Sequence, residues 1–241
     1  MLAVETRGLT KIYKGGVTGL ADLDLEVETG EVVGLVGPNG SGKTTTIRLL
    51  LDLLRPTRGS CRIFSLDARR DSLEIRRRVG FLPGDLALYD GLTAHETLAL
   101  SARLRRGAAP SLRESLLARL GVPSEALDRR VKTLSTGTRQ KLGLLIALQH
   151  DPSLAILDEP TTGLDPLVRR RFHDAIVSWR GRGRTLLLCS HDIAEVALLC
   201  DRVCVLRDGA MVAQIPLEGG DAARRDGAAL EERILSHYAA S

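Results

Sequence analysis

Aromatic residues make up only 3% of this 241-residue chain: three Phe, three Tyr and one Trp. Proteins that grip single-stranded nucleic acid stack successive bases on aromatic rings, and such platforms are scarce here. Lysine is scarce too. Lys11, Lys14, Lys43, Lys132 and Lys141 stand against 29 arginines and 30 acids. The net charge of +4 and the isoelectric point near 9.1 therefore come from arginines spread along the chain. The clusters Arg76 to Arg78 and Arg169 to Arg171 read as solvated helix faces rather than a binding stripe. No nucleic-acid partner is expected. Apolar runs such as Val32 to Val36 and Leu142 to Leu148 fall far short of the roughly 20 residues that span a bilayer. The first residues carry Glu5 and no apolar core, so they do not read as a secretory signal. The expectation is a cytosolic chain that does not itself cross a membrane. Four cysteines, Cys61, Cys189, Cys200 and Cys204, lack metal-site spacing and nearby histidine ligands, and read as small, buried, reduced thiols.

What is present is a 44% hydrophobic composition at a length that suits one large domain or two small ones. Val4 to Leu9, Leu23 to Val27 and Glu31 to Val36 read as strands, the last an apolar run ending at Gly37 as in a buried strand. Thr44 to Leu54 has helical spacing and stops before Arg55-Pro56. Further strands are expected at Arg62 to Phe64, Val79 to Leu82, Ala155 to Leu157, Thr185 to Cys189 and Val203 to Leu206, with a helix at Leu167 to Trp179. This alternation predicts an α/β fold with a largely buried sheet. From about Gly84 to His150 strand signals vanish. Helices are expected at Thr93 to Arg105, Ser111 to Leu120 and Arg139 to Gln149, broken at Gly107 to Pro110 and Gly121 to Ser124. Past Ile215-Pro216, the polar segment EGGDAARRDG precedes a final helix from Ala228 to Tyr238. There is no internal repeat.

Where the strand Glu31 to Val36 gives way to the first helix lies Gly37-Pro38-Asn39-Gly40-Ser41-Gly42-Lys43-Thr44, which matches G-x-x-x-x-G-K-[ST], with Thr45 next. In that setting the glycines let the backbone wrap phosphates, and the helix points free N–H groups and its dipole at them. Lys43 supplies positive charge for the β- and γ-phosphates and Thr44 a hydroxyl for Mg²⁺. A plain Gly-rich turn is the simpler alternative; strand before and helix after favour the phosphate loop. Asp158 closes the apolar run Leu154 to Leu157, as a hard oxygen ligand for Mg²⁺ would. Glu159 follows, a carboxylate suited to general-base work; the alternative is an acid pair capping the next turn. Ser135 and Gly137 of LSTGTRQ precede a helical run, where a hydroxyl and a bare backbone can meet an anion or simply cap the helix.

Taken together, GPNGSGKT, LSTGTRQ and SLAILDEP resemble the ATP-hydrolysing subunit of ABC transporters over nearly the whole chain. The resemblance implies a P-loop NTPase of ABC type, with an α/β mixed-sheet core at residues 1–83 and 150–215. An inserted all-helical subdomain at 84–149 would carry the signature motif, and 216–241 would form a C-terminal tail and helix. It implies ATP and Mg²⁺ as cofactors and a dimer, homo- or heteromeric, with each ATP clamped between one copy's phosphate loop and the other's LSTG segment. Glu159 would polarise the attacking water, His191 would hydrogen-bond the γ-phosphate, Asp165 would communicate across the dimer, and Tyr13 would stack on adenine. Ser135 and Gly137 would face the partner's γ-phosphate; the common form is LSGGQ, so Thr136 and Thr138 are departures. Where a glutamine normally senses metal and water, this chain has Gly84, followed by Asp85, either a replacement oxygen ligand or part of a Pro83-Gly84-Asp85 turn. LPGD with LSTGTRQK is similar to ATPases of export-type permeases, including those of drug and antibiotic efflux. The expected partner is a separate membrane permease. The rivals are a non-transport ATPase acting on DNA or ribosomes, usually marked by a second nucleotide domain or a coiled-coil insertion, and a regulatory module that binds ATP without turnover.

Overall fold

The computed structural model describes residues 1–105, 109, 111–217 and 226–239. Along the chain run β1 (Leu2–Ile12), β2 (Thr18–Leu23), β3 (Glu26–Glu28), β4 (Val32–Val36), α1 (Lys43–Leu50), β5 (Arg58–Ile63), β6 (Leu66–Asp67), α2 (Ser72–Arg78) and β7 (Val79–Leu82). There follow α3 (Ala94–Leu104), α4 (Arg113–Leu120), α5 (Ser124–Leu127), a 3₁₀ turn at Val131–Thr133 and α6 (Thr136–Leu148). The chain closes with β8 (Leu154–Asp158), α7 (Pro166–Arg180), β9 (Thr185–Cys189), α8 (Ile193–Leu199), β10 (Arg202–Arg207), β11 (Ala210–Pro216) and α9 (Gly227–Ala239). These form two compact units, Met1–Ile75 with Thr185–Ser241, and Arg76–Arg184. The expected break at Gly107 to Pro110 and most of EGGDAARRDG lie outside the described residues.

In the first unit β1 is the hub of an antiparallel sheet, pairing with β2, β3 and β5, with β6 beside β5. A second set of strands runs β11, β10, β4, β9. Leu35 of β4 lies opposite Cys204 of β10 on one side and Cys189 of β9 on the other, both pairings parallel. All five residues of β4 are buried, which explains an unbroken apolar run in place of alternation. The strand expected at Leu23 to Val27 is instead split: Leu23 ends β2, Glu26 and Val27 belong to β3, and Asp24 and Leu25 lie between them. Thr6 is the reason: its buried hydroxyl donates to Leu23 O and accepts from Leu25 N, both at 2.8 Å, replacing ladder bonds there. Helix α1 also ends earlier than its apolar spacing suggests. Asp52 takes φ of 53°, and the N–H groups of Leu53 and Leu54 both turn back to Arg48 O. None of the four cysteines forms a disulfide and all are buried; burial pushes Cys61 up to about 12 and Cys204 to about 11, so neither is a reactive thiolate.

In the second unit β7 and β8 pair in parallel, from Val79 opposite Leu154 to Leu82 opposite Leu157. Helix α6 lies so close to β7 that a Cβ on Gly80 would stand 2.1 Å from Ala147 O. Helix α3 begins at a full capping box between Thr93 and Glu96. Helix α6 begins three residues earlier than the expected Arg139, because Ser135 caps it. Helix α2, whose bounds were not expected from sequence, presents Arg76 to Arg78 to solvent, in keeping with their reading as a solvated helix face.

His150, just past α6, is buried. Burial and the charge of Arg105 push its pKa down to about 4, with Asp151 acting the other way. Its ordinary value is 6.5, so the folded form binds the proton less readily than the unfolded chain. Stability from the neutral ring is complete above about pH 6.5 and is lost as pH falls from there towards 4, at up to about 1.4 kcal/mol per unit. Urea midpoints measured from pH 7.5 to 4.5 should fall more steeply for the wild type than for His150→Phe. Parallel profiles would remove His150 from the acid sensitivity.

Candidate functional site: a phosphate loop and a signature segment

The first unit carries the phosphate loop at the end of β4. Gly40 and Gly42 take φ of 82° and 107°, left-handed conformations that disfavour side chains. A Cβ on Gly42 would also meet Gly19 O at 2.9 Å. Gly42 caps α1 without a side-chain bond, and the first turn of the helix holds no acid. Its N–H groups and positive dipole end are thus left for an anion. Lys43 Nζ donates to Gly37 O at 2.6 Å and Pro38 O at 3.0 Å, folding its charge onto the loop. Ser41 N donates to Pro38 O, tightening the turn, and the buried Ser41 Oγ has no hydrogen-bond partner among the described residues. Asn39 and Thr44 are exposed at the loop and helix start.

Tyr13 lies against this loop: its hydroxyl is 3.1 Å from Thr45 Oγ1. The ring covers Gly19, where a Cβ would stand 2.3 Å from Tyr13 Cε2. Lys11 Nζ sits 5.6 Å from the ring centroid, a cation–π contact. His191 belongs to the same unit, exposed after the buried Ser190 that follows β9.

The second unit brings together the other expected residues. Asp158 ends β8 and is buried. Glu159 takes φ of 52°, uncommon for a side-chain-bearing residue and found where surrounding structure enforces it. Gln140 braces this turn: its Nε2 donates to Glu159 O at 3.3 Å and Pro160 O at 3.0 Å, and Thr162 N also donates to Glu159 O at 3.3 Å. Gln140 belongs to LSTGTRQ, but nothing in the sequence assigns it a role. Its only signal was position, on α6 one helical turn past Gly137. Ser135 caps α6, accepting from Thr138 N at 3.2 Å, and its hydroxyl is 2.9 Å from Thr138 Oγ1. Thr138, a departure from LSGGQ, is thus bonded to the residue expected to meet phosphate. Gly137 approaches the TTGLD turn, where its Cβ would stand 3.5 Å from Gly163 O. Asp165 caps α7 by accepting from Val168 N at 2.9 Å. Gly84 faces the metal-ligand candidate: a Cβ on Gly84 would lie 3.4 Å from Asp158 Oδ2. Asp85 is exposed.

The donor set suits Mg²⁺. No group of three or more His, Cys, Asp or Glu able to hold a metal exists among the described residues. Mg²⁺ needs no such cage, since one or two hard protein oxygens plus phosphates and water suffice.

Residues 20–162 match the family described as ABC transporter, and the chain belongs to it. It is 38% identical over 215 residues to the daunorubicin/doxorubicin resistance ATP-binding protein of Streptomyces peucetius, covering 88% of this chain and 64% of that protein. It is 36% identical over 219 residues to the bacitracin transport ATP-binding protein of Bacillus licheniformis, covering 89% and 70%. So the chain spans about two thirds of the length of these relatives. Among solved structures, an ATP-binding subunit of an ABC transporter superposes with a TM-score of 0.86 at 28% identity, covering 98% of this chain and 99% of that one. A dimeric ATP-binding cassette in a post-hydrolysis state with ADP and Pi gives 0.82 at 26% identity, covering 90% and 99%. The fold is that of a P-loop ATPase cassette. Among the described residues no helix is long and apolar enough to cross a membrane.

Tyr13 rests on the bare backbone of Gly19, so Gly19→Ala should tilt the ring without unfolding the chain. Stacking on a base is worth roughly 1–3 kcal/mol. Nucleotide titration should show Gly19→Ala and Tyr13→Ala each weakening ATP binding by about fivefold or more, with little change in urea midpoint. Wild-type affinity in both would leave Tyr13 a packing residue.

Proposed function

We propose that this chain hydrolyses ATP as one half of a dimer around two Mg·ATP and thereby powers a separate membrane permease. The reading places it on the cytoplasmic face of the membrane, attached through that permease. One observation carries the reading. Helix α1 at the phosphate loop and helix α6 at the signature segment both begin without an acid in the first turn. Each favours an anion. Two copies arranged head to tail put both onto one γ-phosphate.

In this cycle Lys43 turns its ammonium from Gly37 O and Pro38 O to the β- and γ-phosphate oxygens, and Tyr13 stacks on adenine. By the family resemblance Thr44 and Asp158 would hold Mg²⁺, which would offset charge on the phosphates. Glu159, held by Gln140 in its left-handed conformation, takes a proton from the attacking water. His191 hydrogen-bonds the γ-phosphate, the partner copy's signature serine and glycine close the other side, and Asp165 links the two copies. The permease would dock at the loop from Pro83 to Tyr89 and the helices after it; Tyr89 is 71% exposed. The relatives named for drug resistance and antibiotic transport support export of drugs, antibiotics or lipids. A regulatory ATP-binding module is the second reading, favoured by the missing side chain at Gly84.

Glu159→Gln should keep ATP binding, lose roughly 10²- to 10⁴-fold in hydrolysis and accumulate as an ATP-bound dimer in sedimentation. Ser135→Arg should bind ATP and remain monomeric. A wild-type rate in Glu159→Gln, or an ATP-induced dimer in Ser135→Arg, contradicts the proposed cycle; absence of phosphate release by the wild type with its permease favours the regulatory module.

Asp85 is tested separately. If it replaces the absent glutamine, Asp85→Asn raises the Mg²⁺ concentration for half-maximal ATPase several-fold at unchanged nucleotide affinity. Identical Mg²⁺ titrations and equal stimulation by the permease make Pro83-Gly84-Asp85 a turn only.

A further inference from the structure

Glu195 lies in the first turn of α8, where acids ordinarily face water and complement the helix dipole, yet it is only 1% exposed. A carboxyl is almost never that deeply buried without a partner. One partner is Ser190, also 1% exposed, whose hydroxyl donates to Glu195 Oε2 at 2.7 Å. The same Ser190 oxygen accepts from Asp192 N at 3.1 Å, and Asp192 Oδ1 accepts from Glu195 N at 3.1 Å. These bonds close a ring through residues 190, 192 and 195. His191 lies inside that span and is exposed.

The ring stands on a fixed base. A Cβ on Gly34 of β4 would lie 2.9 Å from Val196 Cγ1 and 3.1 Å from Cys200 Sγ, so α8 seats directly on the strand that feeds the phosphate loop. Helix α9 backs α8, with Gly227 against Ala194 and with Leu230 and Ile234 buried. With α8 held in this way, the hydrogen bond from Ser190 to Glu195 sets where the backbone of His191 leaves β9.

We propose that Glu195 is a positioning residue for His191: through Ser190 it holds the turn that aims the imidazole at the γ-phosphate, and it touches no nucleotide itself. The inference rests on the reading of His191 given above. Its loss should therefore act on ATP, which has the γ-phosphate, and spare ADP.

The test compares wild type with Glu195→Ala, Glu195→Gln, His191→Ala and the double variant Glu195→Ala/His191→Ala, measuring steady-state hydrolysis and the affinities for ADP and a non-hydrolysable ATP analogue. Glu195→Ala should lower kcat about tenfold, because displacing a contacting group by even 1 Å is costly, and should weaken analogue binding about threefold while leaving ADP binding unchanged. Glu195→Gln keeps an oxygen to accept from Ser190 and should stay within about twofold of wild type. The double variant should be no slower than His191→Ala alone. If Glu195→Ala does not fold, Ser190→Ala cuts the same bond from its other end and should give the same pattern. Equal losses in the Ala and Gln variants, equal weakening of ADP and analogue, or multiplied losses in the double variant overturn the proposal. An impaired His191→Ala beside a fully active Glu195→Ala overturns it alone, whereas a fully active His191→Ala overturns the reading of His191 and the positioning role with it.

Discussion

The phosphate-loop half of the molecule depends on the pairing of β4 between β9 and β10. Five buried residues run in one strand, with parallel neighbours on both edges. Each large apolar side chain so buried contributes roughly 1.5–3 kcal/mol. The strand leaves the sheet at Gly37, where a Cβ would meet Leu206 O of β10 at 2.3 Å and Ser41 Oγ at 2.4 Å. The loop can therefore turn only as tightly as it does because no side chain intervenes. The same strand, at Gly34, accepts α8. One buried strand thus fixes both the loop that would cradle the phosphates and the helix that follows His191.

In the second unit the dominant constraint is hydrogen bonding by side chains to backbone. Ser135, Thr93 and Asp165 each cap a helix, and Gln140 holds the two carbonyls after Asp158. The left-handed Glu159 is a local cost of order 1–3 kcal/mol, and the Gln140 hydrogen bonds help to offset it. On the proposed reading, the signature helix and the general base are thereby linked within one unit: whatever shifts α6 also shifts Glu159. Gly84 adds the opposite kind of feature, an omitted side chain directly over Asp158.

The chemistry of the loop was legible because it is contiguous. A strand, a glycine-rich turn and a helix lie next to one another in sequence, and the N–H groups that serve an anion belong to the same stretch as the lysine. The strand at Val79 to Leu82 and the helix at Leu167 to Trp179 were legible for a related reason: apolar spacing reports a local period. By contrast, Thr6 splitting β2 from β3 was not legible. Its hydroxyl reaches across 17 residues to Leu23 O, and nothing in the spacing of Leu23 to Val27 announces it.

The sequence by itself determined the α/β alternation, the helical run after Gly84, the phosphate loop and the family to which the chain belongs, because these rest on short-range patterns and contiguous motifs. Only the tertiary structure decided that Tyr13 lies on Gly19, that Gln140 holds Glu159 and that Glu195 is buried beneath the turn bearing His191. A glutamine on a helix and a glutamate in a first turn read as ordinary solvent-facing residues, since polar side chains there need no partner. Their roles arise from what the fold brings against them, and that is set by packing between elements far apart in the chain.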